Sequence, residues 1–229
     1  MNTVLFDFGG TLDTNGIHWF EKFRSAFEAA IPDISYEIIR EAYLFEEKEI
    51  LKFASTANDY YELIEKQFRC MIDFLNSKGV KTDGTDIQKQ IDNVIYDVQE
   101  NIEISLAIMK IISKDFKIAI ISNFYGNLKE ICGKLGFNDY VNIYIDSAVE
   151  KISKPDPAIF QLALKRLKRL SEETYVVGDS YERDIVPAKQ IGCTTIWLKG
   201  KSWKEEDDIS SCDFIINDIN KILKIIQNG

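Results

Sequence analysis

Short, continuous apolar runs ending in turn residues recur along the chain: TVLFDF (residues 3 to 8), KIAIISN (117 to 123), VNIYID (141 to 146), TYVVGD (174 to 179) and TTIWL (194 to 198). Apolar runs of this length, without strict polar alternation, are what strands buried on both faces of a parallel sheet look like. From residue 117 onward, stretches with helical spacing separate them, at 127 to 135, 157 to 170 and 182 to 191. Each is long enough to form a right-handed crossover between parallel strands. The pattern predicts a Rossmann-like three-layer α/β sandwich with a mostly parallel sheet. A last run, FIIN (214 to 217), predicts an edge strand before the helix DINKILKIIQ.

Residues 15 to 100 follow a different period. Strand-like runs vanish, and Phe20, Phe23, Phe27 and Ala30 fall on one helical face. So do Tyr61, Ile64, Phe68, Met71, Ile72 and Leu75, and likewise Ile87, Ile91, Val94, Ile95 and Val98. An all-helical domain over 15 to 100 is therefore expected, inserted into a core made of 1 to 14 and 101 to 229. NSKGVKTDGTD (76 to 86) is the turn that splits it, with Asp83-Gly84 as punctuation and Thr85 or Asp86 as a helix cap. LKRLKRL (164 to 170) spaces its charges beside leucines with a helical period and reads as a solvated helix face.

With 229 residues and 45% hydrophobic composition, the chain can bury one sizeable core carrying a smaller insertion. The net charge of -9 argues against a general nucleic-acid binder, which needs a basic face, but not against a small anionic ligand held in a local positive pocket. Cys70, Cys132, Cys193 and Cys212 lie far apart with no ligand-like grouping, and read as ordinary buried thiols. The single histidine, His18, rules out a His-rich metal site. The N-terminus has no basic region followed by a long apolar run, and no later segment has the length of a membrane span; a cytoplasmic protein without membrane contact is expected. Oligomeric state is not legible.

Four short segments carry candidate chemistry, each at or just beyond the C-terminal end of an expected strand, where open α/β sheets bind ligands. Asp7-Phe8-Gly9-Gly10-Thr11 places a carboxylate at the end of the first strand; alone it also fits a capped turn. Ser122-Asn123 puts a hydroxyl and an amide at the end of the second run. Lys154-Pro155 precedes a helix that the Asp156-Pro157 signal opens. Gly178-Asp179, with Asp184 in the next helical turn, supplies carboxylates suited to a hard cation.

Taken in order and spacing, these segments resemble the haloacid dehalogenase-like hydrolase superfamily over the whole core, with the helical insertion where one class of that family places its cap. The resemblance implies Asp7 as the nucleophile, forming an aspartyl intermediate. It implies Mg²⁺ held by Asp7, the Gly9 carbonyl and Asp179, with Asp184 close by or bound through water. Ser122 and Lys154 would hold oxygens of the transferring group, Asn123 would orient the substrate, and Gly10 and Thr11 would shape the loop. Positioning and charge neutralisation are what phosphoryl transfer chiefly needs.

The first motif departs from the family's Asp-x-Asp-Gly-Thr, because Gly9 stands where the phosphatases carry a second aspartate. Glycine keeps the backbone carbonyl and loses the side chain that protonates the leaving group and then activates water. A general acid/base contributes about 10²- to 10⁴-fold in rate, or roughly 3 to 5 kcal/mol of barrier. Three readings follow. The leading one is a Mg²⁺-dependent phosphatase of a small phosphorylated metabolite with weakened acid/base catalysis. In that reading Asn15 and His18 are candidate substrate contacts, and His18 is a candidate substitute base set against its alternative as a helix-opening residue. The second is cleavage of a carbon substituent. A dehalogenase needs neither acid nor metal, yet Gly178-Asp179 and Asp184 are retained; a phosphonatase needs a Schiff-base lysine, for which Lys22, Lys48, Lys52 and Lys66 are undistinguished. The third is a binding or regulatory protein on an impaired scaffold. Trp19, Lys22, Tyr60 and Tyr61 are further residues that could face a cap pocket or belong to its core.

Overall fold

A computed structural model of the chain describes residues 3–82, 84–202 and 209–228. Its elements are β1 (Thr3–Phe6), α1 (Trp19–Ala30), α2 (Tyr36–Glu49), α3 (Tyr60–Ser77), α4 (Gly84–Ile112), β2 (Lys117–Ser122), α5 (Leu128–Lys134), β3 (Ile143–Asp146), α6 (Ser147–Glu150), α7 (Ala158–Leu167), β4 (Thr174–Gly178), α8 (Val186–Gln190), β5 (Thr194–Leu198), β6 (Phe214–Ile216) and α9 (Ile222–Asn228). A π-helical turn, Tyr181–Ile185, precedes α8. The chain divides into two compact units, Met1–His18 with Glu100–Gly229, and Trp19–Gln99.

In the first unit six strands form one sheet in the order β3-β2-β1-β4-β5-β6, and every neighbouring pair is parallel. Each apolar run seen in the sequence is a strand here, and the FIIN run supplies the edge strand β6. The order reverses at β1, so the crevice beside its C-terminal end is the topological switch point at which such sheets bind ligands. Leu5, Ile121, Ile145 and Val176 project from the sheet onto Ile159 and Phe160 of α7, which accounts for the unbroken apolar character of the runs. Strand β3 begins at Ile143 rather than Val141, but Asn142 extends the ladder: its N–H donates to Ile118 O (2.8 Å) and its Oδ1 accepts from Ile118 N (2.9 Å).

The second unit is all helical. Phe20, Phe23 and Phe27 of α1 are fully buried, as are Leu63, Ile64, Phe68 and Met71 of α3, and the rings of Phe23 and Phe68 meet edge-on at 4.8 Å. Asp59 caps α3 by accepting from Glu62 N (2.9 Å), and Ser35 caps α2. Trp19 and Tyr60 are ring neighbours in this core, 6.4 Å apart, and Lys22 pairs with Asp97. Helix α4 begins at Gly84, so Thr85 and Asp86 lie inside its first turn instead of capping it; Asp83 lies outside the described residues.

Two further details differ from the sequence expectation. Helix α7 stops at Leu167, because Lys168 takes a left-handed conformation (φ 56°) and its N–H turns back onto the carbonyls of Leu164 and Lys165. The LKRLKRL face is therefore helical only in its first half. Of the cysteines, Cys132 and Cys193 are buried but Cys70 and Cys212 are half-buried; all four are free thiols. No helix among the described residues is long and apolar enough to cross a membrane.

Candidate active site

Strand β1 delivers Asp7 to the switch point. The Asp7 N–H still donates to Val177 O of β4 (2.9 Å), so the residue leaves the strand in register, and its side chain is 7% exposed. The chain then turns sharply. Thr11 N and Leu12 N both donate to Phe8 O (3.2 and 2.9 Å), and Gly10 takes a φ of 96°, open to glycine and strained for other residues. A Cβ at residue 10 would also collide with the Asp179 carboxylate, so this glycine is required by conformation and by space.

Asp179 and Asp184 reach the same place from β4. Asp179 follows the strand directly, and the π-helical turn brings Asp184 back against it. A Cβ on Gly178 would overlap Asp184, so the close return depends on glycine there. Asp7, Asp179 and Asp184 each offer an oxygen within 4.8 Å of the others.

Lys154 is the cation of the cluster. Its ammonium donates to Asp184 Oδ1 (2.6 Å) and also to Asp7 Oδ1, with side-chain exposure of only 4%. Its backbone is held by Asn123: Lys154 N donates to Asn123 Oδ1 (2.8 Å), and Asn123 Nδ2 donates to Lys154 O (2.9 Å). The Asn123 carboxamide is thus engaged with the lysine. The Ser122 hydroxyl, 4% exposed at the end of β2, makes no hydrogen bond to the described residues and is available to a ligand. Thr11 knits two strand ends together; its Oγ1 accepts from Asp179 N (3.0 Å) and lies 3.2 Å from Asp7 Oδ2 and 3.1 Å from Asp179 Oδ1, with one proton to share between them.

Three carboxylates face one ammonium, and the imbalance shows in their protonation. Burial and the facing charges of Asp7 and Asp184 hold Asp179 well above the usual carboxylate range. Burial also pushes Asp184 up to about 6, against the pull of Lys154. Burial alone would favour the neutral lysine amine, but Asp184 and Asp7 outweigh it and keep Lys154 charged. A hard divalent cation among these oxygens would remove the surplus negative charge, and an all-carboxylate donor set is the chemistry such an ion prefers.

Asn15 and His18 lie further along the first loop. Asn15 is left-handed (φ 52°), and its Oδ1 accepts from Ile219 N (2.9 Å) in the C-terminal segment. The His18 N–H donates to Lys201 O (2.9 Å), and its ring is half-buried. Two residues not singled out by spacing also shape the site. Asp13, fully buried, accepts from Gly10 N (2.7 Å) and closes the first loop. Trp197 of β5 donates from its indole to Asp179 O (2.8 Å). Asp13 lies only three residues from Gly10, within reach of a local reading of the loop, whereas nothing local marks the tryptophan.

Several known proteins resemble the chain in sequence over part of its length or in fold over most of it. A glyceraldehyde 3-phosphate phosphatase of Methanocaldococcus jannaschii is 35% identical over 96 residues, and the match spans 42% of this chain and 42% of that relative's length. Among solved structures, a HAD phosphatase from Thermococcus onnurineus superposes with a TM-score of 0.57 at 20% identity, covering 99% of this chain and 98% of that one. The L-2-haloacid dehalogenase of Xanthobacter autotrophicus does so with 0.61 at 16%, covering 99% and 98%. The fold is thus common to phosphatase and dehalogenase. A family model described as haloacid dehalogenase-like hydrolase matches residues 1–192, spanning every strand end that contributes to the cluster. With that match over most of its length, the chain belongs to the haloacid dehalogenase-like hydrolase family.

Proposed function

We propose that the protein hydrolyses the phosphate monoester of a small metabolite, with Asp7 as nucleophile and Mg²⁺ as cofactor. The observation that carries this reading is the Lys154 ammonium bridging Asp7 and Asp184 in a cluster that also holds Asp179. A dehalogenase does without a metal, so three clustered carboxylates favour phosphoryl chemistry over carbon-halogen cleavage. The relative from Methanocaldococcus jannaschii, named for a phosphatase, points the same way.

The residues divide the work as follows. Asp7, the Gly9 carbonyl and Asp179 would hold the ion, with Asp184 beside them; the ion's contribution is to neutralise oxygens of the transferring group. An Asp7 oxygen attacks phosphorus, an Asp7–phosphorus bond forms, and the bond to the leaving oxygen breaks. Lys154 and the unengaged Ser122 hydroxyl hold the equatorial oxygens, where charge is concentrated in the transition state. Asn123 acts through the lysine, fixing its main chain so that the ammonium meets the transferring group. Gly10 and Thr11 set the loop. Water then attacks the aspartyl phosphate and releases inorganic phosphate.

Gly9 brings no side-chain acid to the leaving oxygen, so a poor leaving group departs slowly. In this reading the helical unit Trp19–Gln99 is the family's cap domain, and Asn15 and His18, in the stretch of chain just before it, are candidate substrate contacts. Mg²⁺-dependent turnover of an aryl phosphate, measured side by side in wild type, Asp7→Asn and Gly9→Asp, tests the reading. Metal-dependent activity in wild type that disappears in Asp7→Asn supports it. An inert wild type alongside an active Gly9→Asp would move the assignment to a binding or regulatory role on a hydrolase scaffold.

A further inference from the structure

Two of the three clustered carboxylates, Asp179 and Asp184, lie on a single loop after β4, so whatever fixes that loop fixes most of the proposed cation site. Local hydrogen bonds shape it from within: Asp184 N donates to Ser180 O (2.8 Å) and Ser180 N to Asp184 Oδ2 (3.1 Å). These leave its direction relative to the sheet undetermined. The Asp179 main chain is held on both sides of its Cα. Its N–H donates to Thr11 Oγ1 (3.0 Å), reaching across from β1, and its C=O accepts from Trp197 Nε1 (2.8 Å), reaching across from β5. Trp197 is the register partner of Gly178 and is 5% exposed, so the indole lies beside the strand end and is shielded from water.

The indole is itself braced. Tyr181, the first residue of the π-helical turn, packs on Trp197 with ring centroids 5.2 Å apart, and Ile185 completes the cluster. The Tyr181 hydroxyl accepts from Ser211 N (2.9 Å), which ties the turn to the segment leading into β6. Trp197 fills one acceptor position of the Asp179 carbonyl, and the carboxylate is the Asp179 group that lies with Asp7 and Asp184. The direction of that carboxylate follows from the clamped main chain. We infer that Trp197 is a positioning residue for the cation site: its indole N–H holds the Asp179 peptide so that the Asp179 carboxylate points at Asp7.

The role rests on the Mg²⁺ reading above, and the test separates the two. Mg²⁺ affinity of the full chain is measured by isothermal titration calorimetry for wild type, Trp197→Phe and Asp179→Asn. Partners that orient metal ligands typically contribute 10- to 100-fold to metal affinity. Trp197→Phe, which keeps the ring and loses the donor, is therefore expected to weaken Mg²⁺ binding at least about tenfold, while Asp179→Asn abolishes it. Wild-type affinity in a folded Trp197→Phe protein overturns the positioning role. No Mg²⁺ binding by wild type overturns the cation reading, and the role with it. A readout in the unaltered protein covers the case in which Trp197→Phe does not fold. The Trp197 indole signal in a ¹H–¹⁵N spectrum, assigned by elimination with Trp19→Phe and Trp203→Phe, should shift with Mg²⁺ at the midpoint seen calorimetrically and stay fixed in Asp179→Asn. A signal unmoved by saturating Mg²⁺ in wild type overturns the inference.

Discussion

The Lys154 ammonium sits 2.6 Å from Asp184 Oδ1, although thirty residues separate the two in sequence. The contact is buried on both sides, with side-chain exposures of 4% and 2%, and the same ammonium meets Asp7. Buried charges of this kind depend on each other, because removing one partner strands the rest away from water.

Lys154→Met is therefore expected to cost activity and stability together. The variant leaves Asp7 and Asp184 facing each other without a cation, a change that typically costs about 3–5 kcal/mol. Chemical denaturation without metal should show that loss, and added Mg²⁺ should recover part of it by supplying a replacement charge. Undiminished stability in the metal-free variant would contradict the ion pairing described above.

Asn123→Ala removes both hydrogen bonds to the Lys154 main chain. About 1–3 kcal/mol of stability should be lost if the freed groups stay buried. Turnover should fall further than substrate binding, because a misplaced ammonium weakens the transition state most; displacements near 1 Å can cost about 10²-fold. Steady-state kinetics showing a KM effect with unchanged kcat would instead assign Asn123 to ground-state substrate binding.

Gly178→Ala tests the steric side of the site. The added methyl overlaps Asp184, so the π-helical turn must move outward and carry that carboxylate away from Lys154. Activity should fall at least as far as in Asp184→Ala, which removes the carboxylate without forcing the turn. A Gly178→Ala enzyme as active as wild type would show that the close return of Asp184 is not needed.

The helical unit has its own pH dependence. Glu46 of α2 is 1% exposed, one of its oxygens has no hydrogen-bond partner, and burial pushes it up to about 7 despite a hydrogen bond from Gln67. Its folded value lies above the ordinary 4.5, so the folded state holds the proton more tightly. The stabilisation is complete below the ordinary value, declines as pH rises between the two, and is gone above about 7. At 1.36 kcal/mol per unit, the difference amounts to about 3 kcal/mol. Urea unfolding followed from about pH 5 to 9 should show this decline in wild type and a flatter profile in Glu46→Gln.

Much of the site could be read along the chain because its residues fall at strand ends, and strand ends are marked by local chemistry. The runs before Asp7, Ser122 and Asp179 are apolar since both faces of a parallel sheet are covered, and each run breaks where the backbone meets polar surroundings. The two glycines that let Asp179 and Asp184 approach were visible as letters, though the collisions they avoid were not. Asn15 stands out in the sequence only by its place after the first motif; that its Oδ1 accepts from Ile219 N, at the far end of the chain, is visible in the structure alone.

From the sequence alone came the α/β class, the helical interruption and the strand-end residues, because burial on two faces and helical periodicity leave their mark within a few neighbouring positions. Tertiary structure alone decided that Lys154 bridges Asp7 and Asp184, that Asn123 grips the lysine backbone, and that Trp197 reaches Asp179 from the next strand. Such contacts join residues far apart in the chain through the strand order β3-β2-β1-β4-β5-β6. That order is a property of how the whole sheet assembles, and no local stretch of residues encodes it.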